Sequence, residues 1–236
     1  MRLLTYNIHK GIGGRDRRYD LSRIIDVIKA ENPDLVFLQE VDRHVTRSHV
    51  HDQPRLIAEA LALPHQQYQL NVHVKHGGYG NMLLSRWPFG SHHSISLRYQ
   101  TKKPRAAQVA VIQTPDGPLQ AVNWHLGLSE AERLWQAQRL LGHHLFLEGS
   151  KLPALVAGDF NDWRNTLAGG LLSKHGFTQL TTPISSFRSF PAYFAVGSLD
   201  KAFARGLIAP AAHIFRGSKA TVASDHLPLV VDFKIK

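Results

Sequence analysis

The segment Pro153-Ala-Leu-Val-Ala-Gly-Asp-Phe-Asn-Asp162 constrains this chain more than any other. Its small apolar residues form an unbroken run, the pattern of a strand buried on both faces, as in α/β sheets covered on both sides. The run stops abruptly at Gly158, Asp159, Phe160, Asn161 and Asp162. Strand ends of this kind are where open α/β sheets build their sites. Asp159 and Asn161 are two apart, so on extended backbone they point the same way. A carboxylate beside an amide can take a proton from a water and hold that water by a hydrogen bond. Gly, Asp and Asn are also turn residues, so the segment alone reads more economically as a turn. The rest of the chain decides between the two readings.

A chain of 236 residues fits one large α/β or all-β domain, or two small ones. With 43% hydrophobic residues and 12 prolines it builds a packed core, not a disordered chain. No window approaches 18 uninterrupted apolar residues, so no transmembrane segment is expected. The start, Met1-Arg2-Leu3-Leu4-Thr5-Tyr6-Asn7, runs into strand-like sequence without a signal-peptide pattern, which makes a cytoplasmic location the default. Cysteine is absent, which excludes disulfides, thiolate metal sites and a cysteine nucleophile. The net charge of +10 is spread along the chain with no basic tail. It suits either simple solubility or an anionic partner such as nucleic acid, a phosphorylated metabolite or an anionic lipid headgroup.

Leu3 to Ile8 reads as a first strand. The glycine-rich, basic loop 11–18 lacks the ending and spacing of a P-loop. Asp20 caps a helix over Leu21–Glu31 whose buried face is Leu21, Ile24, Ile25 and Ile28, and Pro33 ends it. Leu35 to Leu38 is a strand that delivers Gln39, Glu40 and Asp42 at its exit. His44, His49 and His51 follow in what reads as a solvated loop, without zinc-ligand spacing. Pro54 to Leu63 is a second helix. Residues 66–75 form a strand, His76-Gly-Gly-Tyr-Gly80 breaks it, and Asn81 to Ser85 resumes. A hairpin turn at residues 115–118 joins strands 107–113 and 119–124. The basic run Lys102-Lys103-Pro104-Arg105 lies just before it. Ser129 and Glu132 form a capping box for a helix to about Glu148, with Leu134, Ala137, Leu141 and Leu145 inward. Residues 167–174 are a short helix, 178–194 are irregular, 198–203 are a strand and 229–235 are the last strand. No repeat, low-complexity segment or linker interrupts the chain, so residues 1–236 read as a single domain.

Six apolar runs carry polar residues at or beside an end: Asn7, Glu40, His125, Asp159 with Asn161, Asp200, and Asp225-His226. Clustered carboxylates repel one another and normally need a cation. Oxygen ligands without thiols point to a hard ion, Mg²⁺ or Mn²⁺, which keeps waters free for a substrate phosphate. A basic chain with such a site suggests hydrolysis of a phosphate ester.

The motifs Thr5-Tyr-Asn-Ile8, Leu38-Gln-Glu-Val41, Gly80-Asn-Met-Leu-Leu-Ser-Arg86, Asn123-Trp-His-Leu126, Gly158-Asp-Phe-Asn161, Leu199-Asp200 and Ser224-Asp-His-Leu-Pro228 span nearly the whole chain. In this order the set resembles the endonuclease/exonuclease/phosphatase (DNase I-like) superfamily, and its small uncharacterised bacterial members in particular. The resemblance implies a four-layer α/β sandwich of two packed mixed β-sheets flanked by helices. It also implies roles. Glu40 matches the principal metal ligand, with Asn7 and Asp225 near the metal. Asp159 matches the residue that positions or deprotonates the attacking water, and Asn161 holds water or a phosphate oxygen. His226 matches a base or transition-state stabiliser at the scissile phosphate, with Asp200 as its carboxylate partner. His125 matches a second histidine that binds phosphate or aids the leaving group. Asn81 matches a phosphate hydrogen-bond donor, and Arg105 lies where many members place a basic residue.

The expected activity is Mg²⁺-dependent phosphodiester hydrolysis in nucleic acid, and the chain is expected to be a monomer. The alternatives are a phospholipid or phosphoinositide-type phosphodiesterase or phosphatase, and a non-catalytic binding module. Trp163 and Arg164 are candidates for a nucleic-acid rim. Phe187, Phe190, Tyr193 and Phe194 are candidates for a lipid-facing rim, with the core the more economical place for them. His9 and Lys10 are candidates to line the pocket, Asp42 and Asp162 to serve turns or supporting hydrogen bonds. Lys201 beside Asp200 departs from the family pattern and is expected to pair with it.

Overall fold

The structure, a computed structural model, describes residues 1–235. Its first half runs β1 (Arg2–Asn7), α1 (Leu21–Glu31), β2 (Leu35–Arg43), α2 (Gln53–Leu61), β3 (His65–Val74), β4 (Gly77–Ser85), β5 (Phe89–Ser96) and β6 (Ala106–Thr114). Its second half runs β7 (Gly117–His125), α3 (Glu130–Leu141), α4 (His144–Leu147), β8 (Ala154–Asp159), β9 (Thr178–Gln179), β10 (Asp200–Arg205), β11 (Leu207–Ile214), α5 (Ala220–Ala223) and β12 (Leu229–Ile235). The strands form two six-stranded sheets, β11-β12-β1-β2-β4-β3 and β5-β6-β7-β8-β10-β9. Each sheet is mixed and contains one parallel pair, β1 with β2 and β7 with β8.

Alternation along the strands builds the layers. In β8, Leu155 and Ala157 face the first sheet, whereas Ala154 and Val156 face α3 and α4 with Val122, Trp124, Leu140 and Phe146. This strand is therefore buried on both faces, as its apolar run requires. On the far side of the first sheet, Ile24 and Ile28 of α1 and Ile57 of α2 close the outer layer. The result is a four-layer sandwich of two mixed sheets flanked by helices. No helix among the described residues is long and apolar enough to cross a membrane.

A buried polar network also joins the sheets. The Asn123 amide nitrogen donates to Leu38 O at 3.1 Å, Met82 O at 3.0 Å and Gln108 Oε1 at 2.8 Å. Its Oδ1 accepts from Gln39 Nε2 at 2.8 Å. A buried polar group must find such partners or lose its hydration without return.

Several elements differ from the sequence reading. The segment 76–80 does not break a strand, because β4 already begins at Gly77. Gly78 and Gly80 sit so close to β3 that a Cβ would come within 2.1 Å of Val72 O and 1.8 Å of Gln69 O. Those glycines serve close approach of backbones. The helix after Ser129 ends at Leu141 and a separate turn, α4, follows Gly142. Ala137 and Leu141 face inward as expected, but Leu134 is exposed, and Arg133, Gln136 and Leu140 complete the buried face. In α1, Val27 is more deeply buried than Ile25. Strands β5 and β11 were not anticipated. Both are sheet edges whose residues are mostly half-buried or exposed, so they lack a continuous apolar signal.

Asn123→Ala strands Gln39 and Gln108 in the interior. It is expected to lower the unfolding free energy by about 1–3 kcal/mol, measured by urea denaturation.

Candidate active site

The site forms where the C-terminal ends of the two parallel pairs meet. Gly158 has φ +147°, and a Cβ there would lie 2.1 Å from Trp124 O, so only glycine fits. It delivers Asp159 into register with His125 on one side and Asp200 on the other. The Asp159 carboxylate is buried. Its Oδ2 accepts from Asn7 Nδ2 at 3.0 Å and lies 3.3 Å from His125 Nε2 and 3.9 Å from His226 Nε2. Its Oδ1 accepts from the Asn161 backbone N–H at 2.9 Å. Burial raises the Asp159 carboxyl above the ordinary range, opposed chiefly by the charge of His226.

His226 Nδ1 lies 2.8 Å from Asp200 Oδ2. Burial by itself would depress this imidazole, but Asp200 and Asp159 outweigh it and push His226 up to about 10. His226 is thus an imidazolium with Nδ1–H on Asp200 and Nε2 on the Asp159 side. His125 is the opposite case. Burial, and then the nearby Arg105, hold it well below the usual histidine range, so it is neutral. Asn161, at φ +50°, commits one Nδ2 hydrogen to Leu126 O at 3.0 Å.

Glu40 sits in an irregularity of the β2–β4 ladder between Leu38 and Val41, with φ +59°. This bulge turns its side chain out of the strand's alternation. Burial would raise its carboxyl, but the nearby positive charge, chiefly that of Lys10, more than offsets this and holds it below the usual carboxylate range. Lys10 forms an ion pair with Glu40, and His9 Nε2 stands 3.8 Å from Asp225 Oδ2. The two loop residues therefore do line the site.

Asn7, His125, Asp159, Asn161, Asp200 and His226 form one contact network. Glu40 joins it beside His125, and Asp225 joins through the chain next to His226. Asn81 makes none of these contacts: its Nδ2 donates to Ala106 O at 3.1 Å, and among the described residues its buried Oδ1 has no partner. Arg105 is buried next to His125. Asp42 is gripped by Arg47, and Asp162 accepts from Leu167 N at 3.0 Å and Thr166 Oγ1 at 3.2 Å, so both serve local structure. Lys201 does not pair with Asp200. Neighbouring strand residues point to opposite faces, and Lys201 Nζ donates to Ser198 O at 2.6 Å.

One participant, Tyr79, escaped the sequence reading, and Phe190, a rim candidate, stands against the site. The Tyr79 ring lies 5.2 Å from Lys10 Nζ, 5.1 Å from the Arg47 guanidinium and 5.1 Å from Lys103 Nζ. Its place among three glycines was the only signal. The Phe190 ring lies 4.9 Å from the His226 ring. Phe187 is core, as expected, but Tyr193 and Phe194 are exposed, and so is Trp163.

This fold and corner place the chain among phosphoester hydrolases. It belongs to the Endonuclease/Exonuclease/phosphatase family, whose pattern matches residues 4–226 and whose members hydrolyse phosphoester bonds. It is 29% identical to the uncharacterized protein YbhP of Escherichia coli K12 over 245 residues, covering 99% of this chain and 96% of that one. The endonuclease/exonuclease/phosphatase from Beutenbergia cavernae has the same fold, with a TM-score of 0.85 and 24% identity over 100% of this chain and 71% of that one. The mannosyl-6-phosphatase Bt3783 of Bacteroides thetaiotaomicron also shares the fold, with a TM-score of 0.71 and 16% identity over the full length of both chains.

A histidine whose pKa is raised on folding stabilises the fold fully below its unfolded value, about 6.5. That contribution disappears as pH rises through the folded value of about 10. Asp200→Asn should therefore cost about 3 kcal/mol near pH 6, and the deficit relative to wild type should shrink between pH 7 and 10 in urea titrations.

Proposed function

We propose that the chain is a metal-dependent phosphodiesterase acting on nucleic acid. The observation that carries the hydrolytic reading is the union of a buried carboxylate with one charged and one neutral histidine, Asp159 with His226 and His125. Asp159, its basicity raised by burial, is the base that takes a proton from the attacking water. Asn161 holds that water beside it. His226 enters as the imidazolium kept by Asp200, so its role is to donate Nε2–H to the charge growing on the phosphoryl oxygens, not to act as base. His125, neutral, holds the leaving side by hydrogen bonding.

The donor set fits Mg²⁺ or Mn²⁺. Glu40 is an ionised, buried carboxylate already balanced by a cation, Lys10, and the neighbouring donors on Asn7 and Asp225 are oxygens. No cluster of three His, Cys, Asp or Glu stands ready to enclose an ion among the described residues. Few protein ligands and many retained waters are the habit of Mg²⁺. The bound ion supplies positive charge at the phosphoryl oxygens.

The nucleic-acid reading is supported by the exposed Trp163 and Arg164, which follow directly on the Asp159 corner and offer a stacking ring beside a cation. A lipid diester is the second reading, favoured by the exposed Tyr193 and Phe194 close to Phe190 and His226.

EDTA is expected to abolish hydrolysis of bis-p-nitrophenyl phosphate, and Mg²⁺ to restore it. Asp159→Asn and His226→Ala should each lower kcat by about 10²–10⁴-fold, with circular dichroism unchanged. A wild-type rate in His226→Ala would sink the assignment. Plasmid DNA, RNA and phosphodiester lipid vesicles assayed side by side separate the two substrate readings.

A further inference from the structure

Lys201 is a buried charge that the chemistry above leaves without a task. It is 1% exposed. Alternation along β10 puts it on the same face as Phe203, the face covered by α3, whereas Asp200 shares the other face with Ala202 and Ala204. On the α3 side stand Asp162 and Arg133, both buried and 3.7 Å apart. Across the sheet stand Asp200 and Asp159. Burial disfavours the Lys201 ammonium, and Asp162, then Asp200 and Asp159, act in its favour. Yet no carboxylate among the described residues lies within 4.0 Å of Nζ. An ammonium here costs desolvation that an apolar side chain of similar size avoids. What it holds is backbone. Nζ donates to Ser198 O at 2.6 Å, so the side chain folds back on the segment that leads into β10.

That segment carries Asp200, and little else orients the Asp200 carboxylate. Its Oδ2 lies 2.8 Å from His226 Nδ1, while its Oδ1 is sealed from solvent with no hydrogen-bond partner. The carboxylate's one partner is the ring it orients, so its own place is set by the backbone. Three contacts fix that backbone. Lys201 Nζ holds Ser198 O, the Phe160 N–H donates to Leu199 O at 2.9 Å, and the Asp200 N–H donates to Ser189 Oγ at 3.4 Å. The Lys201 contact is the shortest of the three, and the donor's charge strengthens it.

We propose that Lys201 is a positioning residue, which clamps Ser198 from the α3 side of the second sheet and so sets Asp200 at hydrogen-bonding distance from His226. The inference rests on the phosphoesterase reading above, but the pair that it positions can be followed without turnover. Two neighbours on opposite faces of β10 are thus coupled through the backbone between them, not through contact of their side chains.

Two measurements test it. The ring nitrogens of His226 are followed by NMR at pH 6 in metal-free protein labelled with ¹⁵N-histidine, and are identified by their loss in His226→Ala. In Lys201→Met the Nδ1 signal should move or broaden. In Lys201→Arg, which keeps a cation and its N–H donors, it should return toward the wild-type position. In parallel, kcat and KM are measured for bis-p-nitrophenyl phosphate with Mg²⁺. Lys201→Met should lower kcat by about 10- to 100-fold with KM within about twofold, and Lys201→Arg should recover most of that loss. Should Lys201→Met not fold, Lys201→Gln, uncharged and shorter in reach, takes its place with the same expectations. An unchanged Nδ1 signal in the uncharged variant, or a kcat within about twofold of wild type, overturns the proposal, whatever the melting temperature. Equal losses in the uncharged variant and in Lys201→Arg also overturn it, because the shape of the side chain and not its donated hydrogen bond is then what counts. An Nδ1 signal that depends on Lys201, in a protein that hydrolyses no phosphodiester, supports the clamp and removes the hydrolase reading instead.

Discussion

The site depends on one carboxylate, Asp159, held in the interior by groups from both sheets. Asn7 reaches it from β1, His125 from β7 and His226 from the segment before β12. A buried carboxylate is tolerated only where hydrogen bonds and a nearby positive charge replace lost hydration. The two sheets therefore meet at a point where each supplies what the other's charge requires. Packing sets the distance between the sheets, and this carboxylate sets what their ends can do.

The two parallel pairs divide the chemistry. The first sheet brings oxygen donors, Asn7 at the end of β1 and Glu40 in the bulge of β2, and the second brings the titratable groups His125 and Asp159 to its strand ends. The same environment gives the histidines opposite states. Asp200 and Asp159 hold His226 in its charged form, while Arg105 and the charge on His226 itself oppose the charging of His125, and burial acts on both alike. Position among charges, not residue type, separates an imidazolium from a neutral imidazole a few ångströms away.

Much of this was legible in the sequence for physical reasons. A strand buried on both faces leaves an unbroken apolar run, so β8 was visible, as was the polar corner after it. The acid, amide and histidine positions stood out because strand ends punctuate apolar runs. Strands β5 and β11 were hidden because an edge strand needs no continuous hydrophobic face. The role of Gly78 and Gly80 was misread, since a glycine required by a close neighbour looks the same in one dimension as a glycine that ends a strand. The pairing expected of Lys201 failed on alternation alone. The gathering of Lys10, Arg47 and Lys103 around Tyr79 was beyond reach, because it depends on which distant residues are brought together.

The order of the strands in the first sheet bears on how the molecule is made. β12 inserts between β11 and β1, pairing residues 229–232 with residues 2–5, and the segment just ahead of it carries Asp225 and His226. A growing polypeptide thus displays Asn7, Glu40, His125 and Asp159 long before the imidazolium reaches them. Until that return crossing is complete, β1 has an open edge and Asp159 lacks its main positive neighbour. Competence and closure of the fold are reached in the same late event, so a partly synthesised chain holds the residues of the site without the site.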